Sequence, residues 1–288
     1  MKTTYADFSK AVIFTDKNAG ETEQKAVLVL IEEIFKRTGI KLTTAIRYPQ
    51  LAGSVIAIGG NFIPCIPAVA LVSKLPKPGS EGYRLATENK DKPLCAVIGA
   101  DARGILYGVG KLLRLMEWGD GRLMLPLDIS ISTAPKFPIR GHQLAYRPKT
   151  NAYDAWTPEI YEQYIRELAL FGANTIDILP PCTDDDEKND LMKYDSFYMM
   201  CCLSEIIHSY GLDVGIWYPN MFSEDISEQA FTEEEIQRVD IFSSIPFLDH
   251  VFIPGGDPGR LYPKKLFEVS EQFFTIAKRY HKLSLIHI

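Results

Sequence analysis

Four short segments of this 288-residue chain gather the side chains best able to bind or react. Arg147 is followed by Asn151, Tyr153, Asp154 and Trp156, and Cys182 opens the acidic run Thr183-Asp184-Asp185-Asp186-Glu187. Trp217-Tyr218-Pro219-Asn220 joins two aromatics to an amide, and Pro254-Gly255-Gly256-Asp257-Pro258-Gly259-Arg260 sets one carboxylate among glycines and prolines. Two glycines after an apolar stretch let backbone approach a ligand closely. Asp257 can then orient a polar group, stabilise developing positive charge or act as a general base, or it can merely close a tight turn. Trp217 and Tyr218 offer flat amphipathic surfaces on which a sugar stacks, or they belong to a core. Arg147 could hold hydroxyls or a carboxylate in its planar fork. The candidate set is therefore Asp257 for catalysis, with Arg147, Asp154, Trp217, Tyr218 and Asn220 for substrate binding.

Other chemistries find less support. Residues 184–186 lack fixed EF-hand spacing and read as a solvated loop, and His142, His208 and His250 have no partner at metal-ligand spacing, so no metal site is expected. Ile58-Gly-Gly-Asn61 and Gly99-Ala-Asp-Ala-Arg-Gly104 lack the Walker lysine and the full dinucleotide pattern. With no GxSxG elbow or HExxH either, no cofactor is expected. Cys65, Cys95, Cys182, Cys201 and Cys202 are five in number and show no CxxC spacing, which argues against a disulfide framework and a zinc ribbon. Cys201 and Cys202 sit in an apolar helical pattern and read as buried, inert thiols. A net charge of -6 gives no basic footprint for nucleic acid. No apolar run reaches the length of a membrane span, and the first residues show no signal peptide. That reading favours a cytoplasmic protein and leaves export open.

The elements that must position these residues follow two grammars. Residues 1–134 read as a small α/β domain. Strands are expected over 11–15, 41–46, 54–58, 82–87 and 94–98. Helices are expected over 21–37, stopped by Gly39, and over 102–118, capped by Asp101. From 135 to 288 strands and helices alternate about every 35 residues. Strands are expected at 140–146, 175–179, 213–218 and 250–254, with helices at 158–171, 196–210, 233–242 and 263–280 and a fifth strand at 283–288. Such alternation means a parallel sheet covered by helices, and four units without a phosphate fingerprint fit a (β/α)8 barrel. In that fold the four chemical segments all fall at the C-terminal ends of strands, where barrels carry their sites. A complete barrel needs about 250 residues, so the chain is expected to be the N-terminal part of a longer protein.

A family resemblance sharpens this. Glu81-Gly-Tyr-Arg-Leu85, Ala96-Val-Ile-Gly-Ala-Asp-Ala-Arg-Gly-Ile-Leu-Tyr-Gly108 and Lys111-Leu-Leu-Arg-Leu115 resemble the small α/β domain preceding the barrel of bacterial β-hexosaminidases (glycoside hydrolase family 20) and α-glucuronidases. Pro138-Ile-Arg-Gly141 resembles the P-x-R-G start of those barrels, and Gly255-Gly256-Asp257 resembles their G-G-D-E on the fourth strand. The resemblance implies a glycosidase acting on oligosaccharides with N-acetylated or acidic sugars by carboxylate acid/base chemistry. Asp257 would match the aspartate that positions the substrate's acetamido group. Pro258 stands where the family has its general-acid glutamate. A carbohydrate-binding protein that has lost its acid is therefore the alternative, and a barrel enzyme of other chemistry a third. Acid and base could also lie on later strands, so this part alone is expected to be inactive.

Overall fold

Continuous apolar strands and amphipathic helices build the structure, a computed structural model that describes residues 4–60, 63–147, 155–181, 190–222, 226–253 and 259–283. The chain divides into two units, Met1–Pro138 with Glu167–Gly172 and Ser209–Gly211, and the remainder from Ile139 onward. In the first, strands β2 (Val12–Thr15), β3 (Thr43–Ala45), β4 (Val55–Gly60), β5 (Tyr83–Asn89), β6 (Pro93–Gly99) and β9 (Ser130–Thr133) form one sheet in the order β3-β2-β4-β6-β5-β9. The first four run parallel, and β5 pairs antiparallel with both β6 and β9. Parallel neighbours need long crossovers, which helix α1 (Glu21–Thr38) supplies between β2 and β3. Helix α3 (Ala102–Leu115) lies on the sheet face that carries Val97, opposite the face covered by the short helix α2 (Ile66–Val72). A second, antiparallel sheet joins β1 (Tyr5–Asp7), β8 (Arg122–Pro126) and β7 (Glu117–Gly119) in the order β1-β8-β7.

The second unit alternates strictly. Strands β10 (Gly141–Leu144), β11 (Thr175–Ile178), β12 (Asp213–Trp217) and β13 (His250–Phe252) are each followed by a helix: α4 (Pro158–Leu170), α5 (Ser196–Ser209), α6 (Glu228–Ser244) and α7 (Pro263–Tyr280). All pairs are parallel, and the spatial order is the chain order. Every crossover therefore steps the same way, and right-handed connections collect the helices on one face. A doubly wound sheet instead reverses its order part-way. This is the topology of the first half of a (β/α)8 barrel.

Several boundaries move for local reasons. The helix expected to run to residue 118 ends at Leu115, because Met116 is extended (ψ 140°) and starts the β7–β8 hairpin. Helix α6 begins at Glu228, five residues before the expected start, where the Ser227 side chain accepts from the Ala230 N–H at 3.1 Å. Helix α2 and strands β1 and β9 were not anticipated: seven uncharged residues with a proline show no periodicity, and strands of three or four residues are too short to show alternation. The expected fifth strand falls mostly on residues 284–288, outside the described residues. No helix among the described residues is long and apolar enough to cross a membrane.

The cysteines divide differently from expectation. Cys201 and Cys202 are only half-buried, with the Cys201 thiol donating to the Ser244 carbonyl at 3.4 Å, whereas Cys65 and Cys95 are buried and free. Burial pushes the Cys65 and Cys95 thiols up. A thiol raised on folding stabilises the fold below its unfolded pKa of about 8.5 and loses that contribution as pH rises toward the folded value. Unfolding free energy should therefore fall between about pH 8 and about pH 10, and Cys95→Ala should flatten that fall. Urea unfolding across the range checks this, and an unaltered pH slope in Cys95→Ala would refute it.

Candidate functional site

Strand register places the second unit's polar groups. Gln143, Asp177, Gly215 and His250 stand side by side on β10, β11, β12 and β13. Side chains alternate between faces along a strand, and the neighbours Leu144, Ile176, Ile178, Val214 and Ile216 are all buried. The Gln143–His250 row therefore occupies the opposite face, the one that lines the interior in a barrel. Across this row His250 Nε2 and Asp177 Oδ1 lie 2.8 Å apart, although one strand separates them. Gly215 makes the crossing available, because a Cβ there would collide with both groups. The carboxylate fixes the orientation of the imidazole, and a carboxylate–imidazole pair can hold a hydroxyl or share a proton. Trp217, two residues beyond Gly215, shares this face one layer nearer the strand ends and is half-buried.

Tyr218 and Asn220 go elsewhere. Tyr218 follows Trp217 and so points to the helix-covered side, where it is 2% exposed and its ring faces the Arg238 guanidinium at 3.8 Å. Phe273 closes on the same guanidinium at 4.0 Å. Arg238, on α6, donates to Glu234 Oε1 at 2.7 Å, to the Pro219 carbonyl at 3.1 Å and to Asn220 Oδ1 at 3.1 Å. Asn220 in turn donates to Ser270 Oγ on α7 at 3.0 Å. Burial pushes the Arg238 guanidinium below its ordinary range, while Tyr218 and Glu234 draw it back up. Of the two readings of Tyr218, sugar platform or core, its burial and its stacking on an arginine are those of a core ring, and Asn220 anchors the loop after β12 to two helices.

That loop supports the next one. A Cβ at Gly259 would strike the Asn220 carbonyl, and the Arg260 N–H donates to the Phe222 carbonyl at 2.9 Å. Asp257 and Asp154 lie outside the described residues. Arg147, three residues past β10, is half-buried. Beside that strand Tyr161 donates to the Ala145 carbonyl at 2.8 Å, and Trp156 packs on Tyr161 and Tyr164 at 5.3 and 5.6 Å. Among the described residues no three His, Cys, Asp or Glu side chains gather as a metal would require.

The fold recurs in solved structures. A mutant Streptomyces plicatus β-hexosaminidase in complex with its product GlcNAc matches at a TM-score of 0.65 and 12% identity, over 98% of this chain and 62% of that one. The family GH115 4-O-methyl-α-glucuronidase BtGH115A, with specificity for decorated arabinogalactans, matches at 0.64 and 12%, over 96% of this chain and 41% of that one. Flavobacterium johnsoniae chitobiase matches at 0.61 and 13%, over 98% of this chain and 50% of that one. The chain shares the fold of these glycoside hydrolases. It spans 41% to 62% of the length of these three structures. No protein-family description and no curated protein matches the sequence.

Within this glycoside-hydrolase fold, sequence reasoning set His250 aside as structural and passed over Asp177 and Arg238. Asp177 and His250 are 73 positions apart, a separation that carries no signal without the register. The glycine in the middle of the apolar strand Asp213-Val-Gly-Ile-Trp217 was the one available hint, since such a glycine marks a close approach. Gly215→Ala should cost about 1–3 kcal/mol by forcing the pair apart, and a melting temperature equal to wild type would exclude the crossing. Arg238→Met should cost about 3 kcal/mol by leaving Glu234 and the Pro219 carbonyl without their donor. Denaturant unfolding measures it, and a loss below about 0.5 kcal/mol would count as surface behaviour.

Proposed function

We propose that this chain supplies the substrate-binding half of a glycosidase acting on oligosaccharides with N-acetylated or acidic sugars. The observation carrying the reading is the row of Asp177, Gly215 and His250, its two polar groups paired at 2.8 Å, with the half-buried Trp217 above it on a sequential parallel sheet. An aromatic beside a hydrogen-bonded polar pair suits a ring with apolar C–H faces and a hydroxyl rim. Arg147 and Asp154 follow β10 in the sequence and Asp257 follows β13, and barrel enzymes carry their chemistry after the C-terminal ends of their strands. In this reading Asp257 orients the sugar and stabilises charge as the glycosidic bond breaks, and Arg147 and Asp154 hold hydroxyls or a carboxylate. Asn220 acts at one remove, by fixing the loop on which Gly259 rests. The neighbours named for chitobiase, β-hexosaminidase and α-glucuronidase activity support both substrate classes.

One observation favours a second reading. Proline follows Asp257 and cannot donate a proton, so a carbohydrate-binding protein on a glycosidase scaffold would need no other change. Aryl glycosides of N-acetylglucosamine and glucuronic acid, assayed with the intact protein, separate the two. Turnover that falls about 100-fold or more in Asp257→Asn supports the enzyme. Sugar binding without turnover on either substrate establishes the binder, and turnover indifferent to Asp257→Asn removes that residue from the site.

A further inference from the structure

A cavity of about 730 Å³ opens in the first unit, on the sheet face covered by α2. Its origin is a mismatch of lengths. Helix α2 has 7 residues, as do β5 and β6 beneath it, but a helix advances about 1.5 Å per residue and a strand about 3.3 Å. The helix therefore spans about half the strands. The uncovered part, floored by Leu94 of β6, is bordered by Ala70 and Leu71 of α2 and walled by the β3–β4 loop and the β5–β6 turn.

The walls are set before any ligand arrives. Lys92 donates to the carbonyls of Pro49, Gln50 and Ala52 at 2.7, 3.1 and 3.4 Å, which ties the β5–β6 turn to the β3–β4 loop. Its ammonium stands 4.9 Å from the centre of the Tyr48 ring, and Phe14 meets that ring edge-on at 6.2 Å. Lys92 keeps its charge, but its donors are spent on three carbonyls; the charged groups left to a ligand are Lys74 and Lys90 against Glu88 and Asp91, and Lys90 stands 3.5 Å from Glu88. An anion would meet two carboxylates here and a cation two ammoniums, so neither is selected. A neutral molecule with many hydroxyls finds donors, acceptors and the Gln50 amide over an apolar floor. The volume falls within the roughly 300–1,000 Å³ of small-ligand clefts, and rigid walls remove part of the ordering cost of binding.

We infer that this cavity is a carbohydrate site, which takes a neutral oligosaccharide segment independently of the barrel residues. The inference does not rest on the glycosidase reading. Chitotriose and maltotriose are the probes, titrated calorimetrically into the intact protein. Ala70 is an exposed α2 residue lining the cavity, and Ala70→Trp should fill it. That variant should weaken binding of at least one probe at least about tenfold with an unchanged melting temperature, and the double variant Gln50→Ala, Asp91→Ala should do the same from the opposite wall. Asp257→Asn should retain the component that Ala70→Trp removes, so failure here and failure of the catalytic reading give different results. Affinity should change less than about twofold between about 50 and about 500 mM salt, since salt screens only charge–charge attraction and the ligand is neutral. Binding of neither probe, or binding untouched by both cavity variants, overturns the proposal. Tighter, salt-sensitive binding of a glucuronate-bearing trisaccharide overturns its neutral character.

Discussion

Parallel register governs what the second unit presents. Once Gln143, Asp177, Gly215 and His250 share a row, the two-residue period of the strands fixes every other assignment. Ile176, Ile178, Val214 and Ile216 turn to the helices, and Trp217 stays with the polar row. A slip of one residue would place Val214 or Ile216 beside His250 and bury Asp177 among helices. Burial of one face thus enforces the polar composition of the other. The 2.8 Å pair of His250 and Asp177 is a product of that enforcement, and the missing side chain at Gly215 makes room for it.

Arg238 performs the complementary task behind the sheet. A guanidinium with 1% exposure is costly unless its donors and faces are occupied. Glu234, the Pro219 carbonyl and Asn220 take the donors, while the Tyr218 and Phe273 rings pack against the guanidinium at 3.8 and 4.0 Å. Those partners come from α6, α7 and the loop after β12, so one buried charge ties the loop to two successive helices. Gly259 rests on the Asn220 carbonyl, which carries the tie on to the loop that follows β13. The first unit shows the opposite economy. Two long helices leave little of one sheet face open, but a single seven-residue helix serves the other, and a cavity remains where its length runs out.

The sequence by itself determined much of this. Apolar periodicity, the Asp101 cap, whose carboxylate accepts from the Gly104 N–H at 2.9 Å, and Gly39 beyond α1 locate most helices. Strand–helix alternation after Pro138 is enough for the fold class, because these signals act within a few residues. Residue types also narrowed the chemistry to carboxylates, aromatics and an arginine. Tertiary structure decided which of them meet. Adjacent Trp217 and Tyr218 look equivalent in sequence, and only the sheet assigns one to the polar row and the other to Arg238. Asp177 and His250 become partners through strand order, and Arg238 becomes central through helix packing that brings it to Asn220, 18 residues away in the chain. Contacts of that kind are set by which face must be buried, a property of the assembled sheet and helices that no local window contains.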